Sequence, residues 1–267
     1  PKIVEAVLRL LEDLGGKKQR ALPTCDGPYV EAIRRAKPHA YWPMDTIAGD
    51  VCADRSGNNV AGNYEPCVAY FLEGPPIKET GHPDGICRAA HFAGGRVAAN
   101  VPDLGEAYSV QIWFWNGLPN DARAVTGYFF SRGPDSEKGA PGEHLGIGGT
   151  YHGGTEMGRL IAYNGDQKGD LLIGRSVLEP KRWYCVTYVR QGHEVAAYLD
   201  GRTTPEFSGT LELGCPFDVP SLWLGGRSDG ILGFEGKLCH ISLYNRALTA
   251  DEAAAQYHAA GVSSSRA

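Results

Sequence analysis

From Ala40 onward the chain is cut into strand-length pieces by a dense run of turn signals. They are Asp54-Arg55-Ser56-Gly57-Asn58, Gly74-Pro75-Pro76, His82-Pro83-Asp84-Gly85, Gly94-Gly95, Gly133-Pro134-Asp135, Pro141-Gly142, Asn164-Gly165-Asp166 and Asp200-Gly201. Glycine admits positive φ, proline presets φ and removes a donor, and Asp or Asn bonds its own backbone, so each cluster ends a regular element. The pieces between them suit strands. The 36 glycines, 17 prolines, 13 tyrosines and 5 tryptophans support the same reading. Within residues 108–115, Val110, Ile112 and Phe114 fall on one face and Gln111, Trp113 and Trp115 on the other. Both faces are largely apolar, which predicts a strand in the middle of a two-sheet sandwich. The segments 183–188, 195–201 and 222–227 continue the pattern into residues 237–248, and Asp200-Gly201 is the strongest hairpin signal.

The first 38 residues read differently, as a helical extension. Ile3, Val7, Leu10 and Leu14, widened by Val4, Leu8 and Leu11, predict an amphipathic helix over about 2–14, stopped by Gly15-Gly16. Its apolar face is too wide to stay wet, so it is expected to dock on its own domain, on a second copy, or on other domains of a longer chain. Pro28 suits a first helical position, and Tyr29, Ala32, Ile33 and Ala36 predict a short helix over 28–36 before Pro38. The β domain is placed at 39–261. Near its end Thr249-Ala250-Asp251-Glu252 matches a capping box opening a helix that runs to about Ala260, followed by a 262–267 tail.

Composition removes several classes of function. With 26 Lys and Arg against 31 Asp and Glu the net charge is −5, and no basic cluster offers the positive stripe that a phosphate backbone needs. No nucleic acid partner is expected. No apolar run approaches the roughly 20 residues of a bilayer span. The chain opens at Pro1 and lacks the features of a signal peptide, as expected of a processed or excised piece. The seven cysteines form no Cys-x-x-Cys and no Cys/His set with zinc spacing, so free and mostly buried thiols are expected. If any pair closes, Cys67 and Cys87 are the choice, because they bracket one Pro/Gly-rich loop. Among the histidines, His144 and His152 lie eight apart and His240 and His258 fall on different elements, which is no metal spacing. Gly146, Gly148 and Gly149 lack the Lys-Ser/Thr of a phosphate loop and predict a close approach of neighbouring backbone. No Gly-x-Ser-x-Gly nucleophile turn is present.

The order of fragments over some 230 residues resembles the LamG-like jelly rolls of the concanavalin A-like lectin/glucanase superfamily. The fragments are Tyr29-Val30-Glu31-Ala32-Ile33, Ala40-Tyr41-Trp42-Pro43-Met44-Asp45, Ala53-Asp54-Arg55-Ser56-Gly57-Asn58-Asn59, His91-Phe92-Ala93-Gly94-Gly95, Tyr108-Ser109-Val110-Gln111-Ile112-Trp113 and the closing Tyr244-Asn245-Arg246-Ala247-Leu248. The resemblance implies an all-β, two-sheet antiparallel jelly-roll sandwich, with the N-terminal helical extension and the short C-terminal helix attached. It also implies a non-catalytic recognition module of a larger exported bacterial protein, binding carbohydrate or protein outside the cell, at its surface or in the periplasm. The alternative is an assembly module, self-associating or docking through residues 2–14.

Enzymes of that superfamily carry alternating carboxylates on one strand, such as Glu-x-Asp-x-Glu, so that two reach one glycosidic bond. No such string exists here. Glu206 and Glu212 are too far apart, and a degenerate glycosidase would need carboxylates assembled from separate strands. The resemblance further implies a structural calcium ion, with Asp45 and Asp54 where family members have acidic residues; the competing reading is that Asp54 bonds its own turn. Against calcium, Leu238-Cys239-His240-Ile241 stands where the family commonly has Ile-Asp-Glu-Val, and thiol and imidazole are poor calcium ligands. For stacking on a sugar, Trp115 is the first candidate, because the family's comparable position is usually polar, with Tyr163 and Trp223 after it. Packing is the competing reading for each.

Overall fold

The computed structural model describes residues 26–78, 84–135, 139–165 and 171–262. The helix expected over 2–14, Cys25 and residues 263–267 lie outside the described residues. A helix α1 (Pro28–Arg35) precedes β1 (Ala40–Trp42), β2 (Val51–Cys52), β3 (Gly62–Tyr64), β4 (Val68–Glu73), β5 (Arg88–Ala93) and β6 (Val97–Asn100). The middle of the chain supplies β7 (Ala107–Asn116), β8 (Val125–Arg132), β9 (Glu143–Gly148), β10 (Leu160–Tyr163) and β11 (Leu171–Ile173). The last part supplies β12 (Trp183–Gln191), β13 (Glu194–Leu199), β14 (Phe207–Thr210), β15 (Ser221–Leu224), β16 (Glu235–Tyr244) and a helix α2 (Ala250–Ala259).

The strands form two antiparallel eight-stranded sheets. The first runs β14-β13-β12-β7-β16-β5-β4, with β1 also paired to β16, and the second runs β11-β10-β9-β8-β15-β6-β3-β2. The expected jelly-roll sandwich is present, and its core lies between the sheets. Val110, Ile112 and Phe114 of β7 point into it and meet Phe129, Leu145, Ile147, Leu222 and Leu224 from the second sheet. Phe114 stacks on Phe129 with ring centroids 4.7 Å apart. The glycines of β9 and just after it admit close backbone: a Cβ on Gly146 would stand 2.4 Å from the Gly127 carbonyl, and one on Gly149 2.0 Å from that of Arg123.

One ion pair joins the sheets inside the sandwich. Glu143 of β9 is fully buried and takes the Arg190 guanidinium and the Tyr188 hydroxyl, both from β12. Arg190 completes its donors on the carbonyls of Gly192 at 2.6 Å and Leu211 at 2.9 Å. A buried charge needs this degree of pairing.

The other face of β7 is covered by the helices. Trp113 packs beneath α1 and α2, stacked on Tyr257 at 5.5 Å, while its indole N–H donates to the Tyr29 hydroxyl at 2.8 Å and that hydroxyl donates to Gln111 at 2.9 Å. Tyr29, Val30 and Ile33 are buried, so α1 is packed into the same unit as the sandwich. The capping box of α2 forms as expected, with Thr249 Oγ1 accepting from the Glu252 amide and the Glu252 carboxylate accepting from the Thr249 amide. The Asp200-Gly201 turn follows β13 with φ of 50° and 71°, but β14 starts only at Phe207. Within this longer connection Glu206 turns in to accept from the Arg175 and Ser176 amides. Among the described residues, no helix is long and apolar enough to cross a membrane.

Of the six described cysteines, Cys67 is exposed and the other five are buried, and no two of the six form a disulfide with each other. Cys67 and Cys87 are not partners. Antiparallel pairing of β4 with β5 sets Val68 opposite Phe92 and Glu73 opposite Arg88, which puts the two cysteines at opposite ends of the strand pair.

Candidate functional site

Trp115 and Trp113 share a face of β7, yet the helices cover only Trp113. Trp115 is left half-buried at the end of the strand. Register places Trp183 of β12 opposite it on one side and Lys237 of β16 on the other, and His91 of β5 lies beyond Lys237. Because side chains facing one another across strands point the same way, Trp183, Trp115, Lys237 and His91 form one row on the outer surface of the first sheet. All four are half-buried. The row opens into a groove of about 480 Å³ whose other wall includes Glu73, Pro75, Pro76 and Ile86.

The charges in this row are arranged around the indoles. Lys237 Nζ stands 5.0 Å from the Trp115 ring centroid and donates to the Glu73 carbonyl at 3.1 Å. His91 lies 6.4 Å from Trp115, ring to ring. Burial, and then the Lys237 charge, hold the His91 imidazole below its usual range, so it is neutral at neutral pH. A second groove, of about 740 Å³, is lined by Arg182, Tyr184, Asp200, Arg202 and Tyr257, and it shares Trp183 and Pro76 with the first. The Trp183 ring therefore borders both. The two grooves offer flat aromatic carbon flanked by donors and acceptors, which suits a ligand with apolar faces and polar edges.

Tyr163 and Trp223 lie on the opposite side of the molecule. A cross-strand row runs Tyr163, His144, Ser131, Trp223 over the outer face of the second sheet. A loop covers part of this row: His144 Nε2 bonds the Ala140 carbonyl at 2.7 Å, and Trp223 Nε1 donates to the Gly133 carbonyl at 3.2 Å. Trp223 is 6% exposed and the Arg96 guanidinium sits over its ring at 4.2 Å, where a stacking ligand would have to lie. Arg96 is itself tied to Glu65. Trp115 is thus separated from the other two aromatic candidates by the thickness of the sandwich.

The residues expected to hold calcium carry other partners. Asp54 accepts four hydrogen bonds, from the amides of Tyr41, Ser56 and Val60 and from the Ser56 hydroxyl, at 2.7–2.9 Å. Asp45 is paired with Arg55 at 2.8 Å. A cation here would have to displace a guanidinium and compete with four donors, so the donor set does not fit calcium. The reading of Asp54 as a turn staple accounts for its contacts. The acidic residues considered for hydrolysis are likewise engaged elsewhere: Glu206 on the Arg175–Ser176 backbone, and Glu212 beside His193 at 3.0 Å.

Trp183 and Lys237 are the site residues that the sequence reasoning passed over. Both belong to segments read only as strands, and they meet Trp115 through the register of three strands far apart in sequence. A half-exposed Trp at the first residue of β12 carries no local mark.

Residues 93–254 match the family model Laminin_G_3, described as the concanavalin A-like lectin/glucanases superfamily. No curated protein sequence matches the chain. Among solved structures, domain 4 of AbnA, a GH43 extracellular arabinanase from Geobacillus stearothermophilus solved with arabinotriose, superposes with TM-score 0.57 at 17% identity, covering 83% of this chain and 98% of that one. Trypanosoma rangeli sialidase gives TM-score 0.57 at 14% identity; the match covers 96% of this chain but only 38% of the sialidase. The binding domain of Paraclostridial mosquitocidal protein 1 gives TM-score 0.52 at 15% identity, covering 82% of this chain and 51% of that one. At such identities these structures share the fold. With a family match over more than half its length, the chain belongs to the concanavalin A-like lectin/glucanases superfamily.

Proposed function

We propose that this chain is a non-catalytic recognition module of a larger exported protein and that it binds carbohydrate along the Trp183–Trp115–Lys237 row. The observation that carries the reading is the half-exposed Trp115–Trp183 pair beside Lys237, opening into a groove. A sugar ring laid on an indole buries its C–H face, and its hydroxyls are then within reach of the Lys237 ammonium and the carbonyls of the groove wall. The neighbouring groove, with Arg182, Asp200 and Arg202, would take further units of an oligosaccharide. Support also comes from the arabinanase domain solved with arabinotriose and from the absence of an alternating carboxylate string.

Screening the chain against an array of oligosaccharides, followed by calorimetry on the best binder, tests this reading. Trp115→Ala is expected to weaken binding at least tenfold, about 1.4 kcal/mol, with an unchanged far-ultraviolet spectrum. Tyr163→Ala, on the opposite face, is expected to leave affinity unchanged. An array with no binder, or a loss confined to Tyr163→Ala, overturns it.

A further inference from the structure

We propose that Cys87, Cys239 and His240 form a buried zinc site. The three side chains are buried, and their ligand atoms all lie within 4.8 Å of one another. Cys87 Sγ stands 3.4 Å from Cys239 Sγ and 3.3 Å from His240 Nε2. Tetrahedral zinc, with bonds of about 2.3 Å to sulfur and about 2.0 Å to nitrogen, needs edges of about 3.8 Å between sulfurs and about 3.6 Å from sulfur to nitrogen. These two edges need spread by only a few tenths of an ångström, and the third, from Cys239 Sγ to His240 Nε2, lies within 4.8 Å. The Arg88 carbonyl, 2.8 Å from Cys239 Sγ and 3.8 Å from Cys87 Sγ, lies beside the pair and would have to draw back from Cys239 Sγ by about 0.7 Å to take the fourth position.

The backbone shows how two consecutive residues come to share one target. Along a regular strand, residues 239 and 240 would point to opposite faces. Here β16 leaves β5, which pairs with residues 235–238, and takes up β1, which pairs with 241–243. Its register to β7 shifts between Cys239 and Ser242, and His240 has a φ of 45°. The bulge turns the imidazole to the side already occupied by Cys239, beneath α1. Non-glycine residues rarely hold positive φ without surrounding support. The other ring nitrogen, Nδ1, lies 2.5 Å from the Tyr41 hydroxyl, and the ring stacks on Tyr41 and meets the edge of Tyr29. With Nδ1–H donating to Tyr41, Nε2 presents its lone pair to the sulfurs, which is how a metal-binding histidine is held.

The imidazole decides between zinc and a Cys87–Cys239 disulfide, because a disulfide has no use for it. Loading releases both thiol protons to solvent; two thiolates and zinc(II) make a neutral centre, which can be buried without net charge. Held by zinc, the thiolates are also withdrawn from oxidation in an oxidising compartment. Cys87 lines the groove that carries Trp115, which gives the ion a route in.

The full chain, produced with zinc in the medium and purified under reducing conditions without chelator, is expected to hold about one zinc per chain by elemental mass spectrometry. Stripped wild-type protein titrated with cobalt(II) is expected to show thiolate-to-cobalt charge-transfer absorption, abolished by an equivalent of zinc. Neither readout depends on a variant that might misfold. His240→Asn is expected to lower zinc affinity at least tenfold. Zinc below a tenth of an equivalent with no cobalt–thiolate band overturns the proposal. So does a native intact mass two hydrogens low, with Cys87 and Cys239 recovered in one disulfide-linked peptide.

Discussion

His144 illustrates how a polar residue can belong to packing. It sits in the outer row of the second sheet, bonded to Ser131 Oγ at 2.9 Å and to the Ala140 carbonyl, near the rings of Tyr128 and Tyr163. Burial, opposed by the Ala140 bond, assisted by the Arg227 charge and opposed in turn by Asp229, lowers its pKa from 6.5 to about 4. The sign follows from the depressed value. Below 6.5 the unfolded chain takes up a proton that the folded one refuses, so the stability held above pH 6.5 is lost as pH falls toward 4. Between pH 7.5 and 4 the loss from this one group is about 3 kcal/mol. Urea denaturation at both pH values should show a correspondingly flatter profile for His144→Gln than for the wild type. Parallel profiles would mean that His144 is protonated in the folded protein.

At the scale of elements, the two helices and the strands beneath them divide the first sheet's outer face. α1 and α2 cover Trp113 and stop short of Trp115, and this end point leaves the candidate ligand row exposed. The position of α2 depends on its first turn, where Thr249, Glu252 and Arg246 form a closed set of hydrogen bonds. Thr249→Ala is expected to destabilise the protein by about 1 kcal/mol, read as a shift in denaturation midpoint with an unchanged slope. A change below about 0.3 kcal/mol would mean that packing of Tyr257 on Trp113 alone holds the helix. Both helix starts were readable in advance, because Pro28 and the Thr249 box act locally. The bulge in β16 was not. It arises where one strand exchanges neighbours, and the run Leu238-Cys239-His240-Ile241 was legible only as a departure from the family's acidic pattern.

For the whole molecule, the Glu143–Arg190–Tyr188 group ties one sheet to the other through the core. Removing its anion leaves a buried guanidinium with its charge uncompensated, so Glu143→Ala should cost about 3–5 kcal/mol. Since the group spans the sandwich, the loss should appear in a single transition monitored by tryptophan fluorescence and far-ultraviolet circular dichroism alike. Two separate transitions, or a cost under about 1 kcal/mol, would show that the sheets do not depend on it. The same two-sheet construction puts Trp115 on one outer surface and Tyr163 and Trp223 on the other. The three aromatic candidates therefore do not share one surface of the fold.

The sequence by itself determined the class of fold, the two described helix starts and the alternation of β7, because turn chemistry, capping and the two-residue period of a strand act over a few positions. It also determined that no alternating carboxylate string is present. Tertiary structure alone decided which aromatics share a surface, which carboxylates are already satisfied and which thiols meet. These are properties of register between strands distant in the chain: Trp115 finds Trp183 and Lys237, and Cys87 finds Cys239 across a separation of 152 residues. No local pattern encodes a pairing of that kind, since it is set only when both sheets close on their common core.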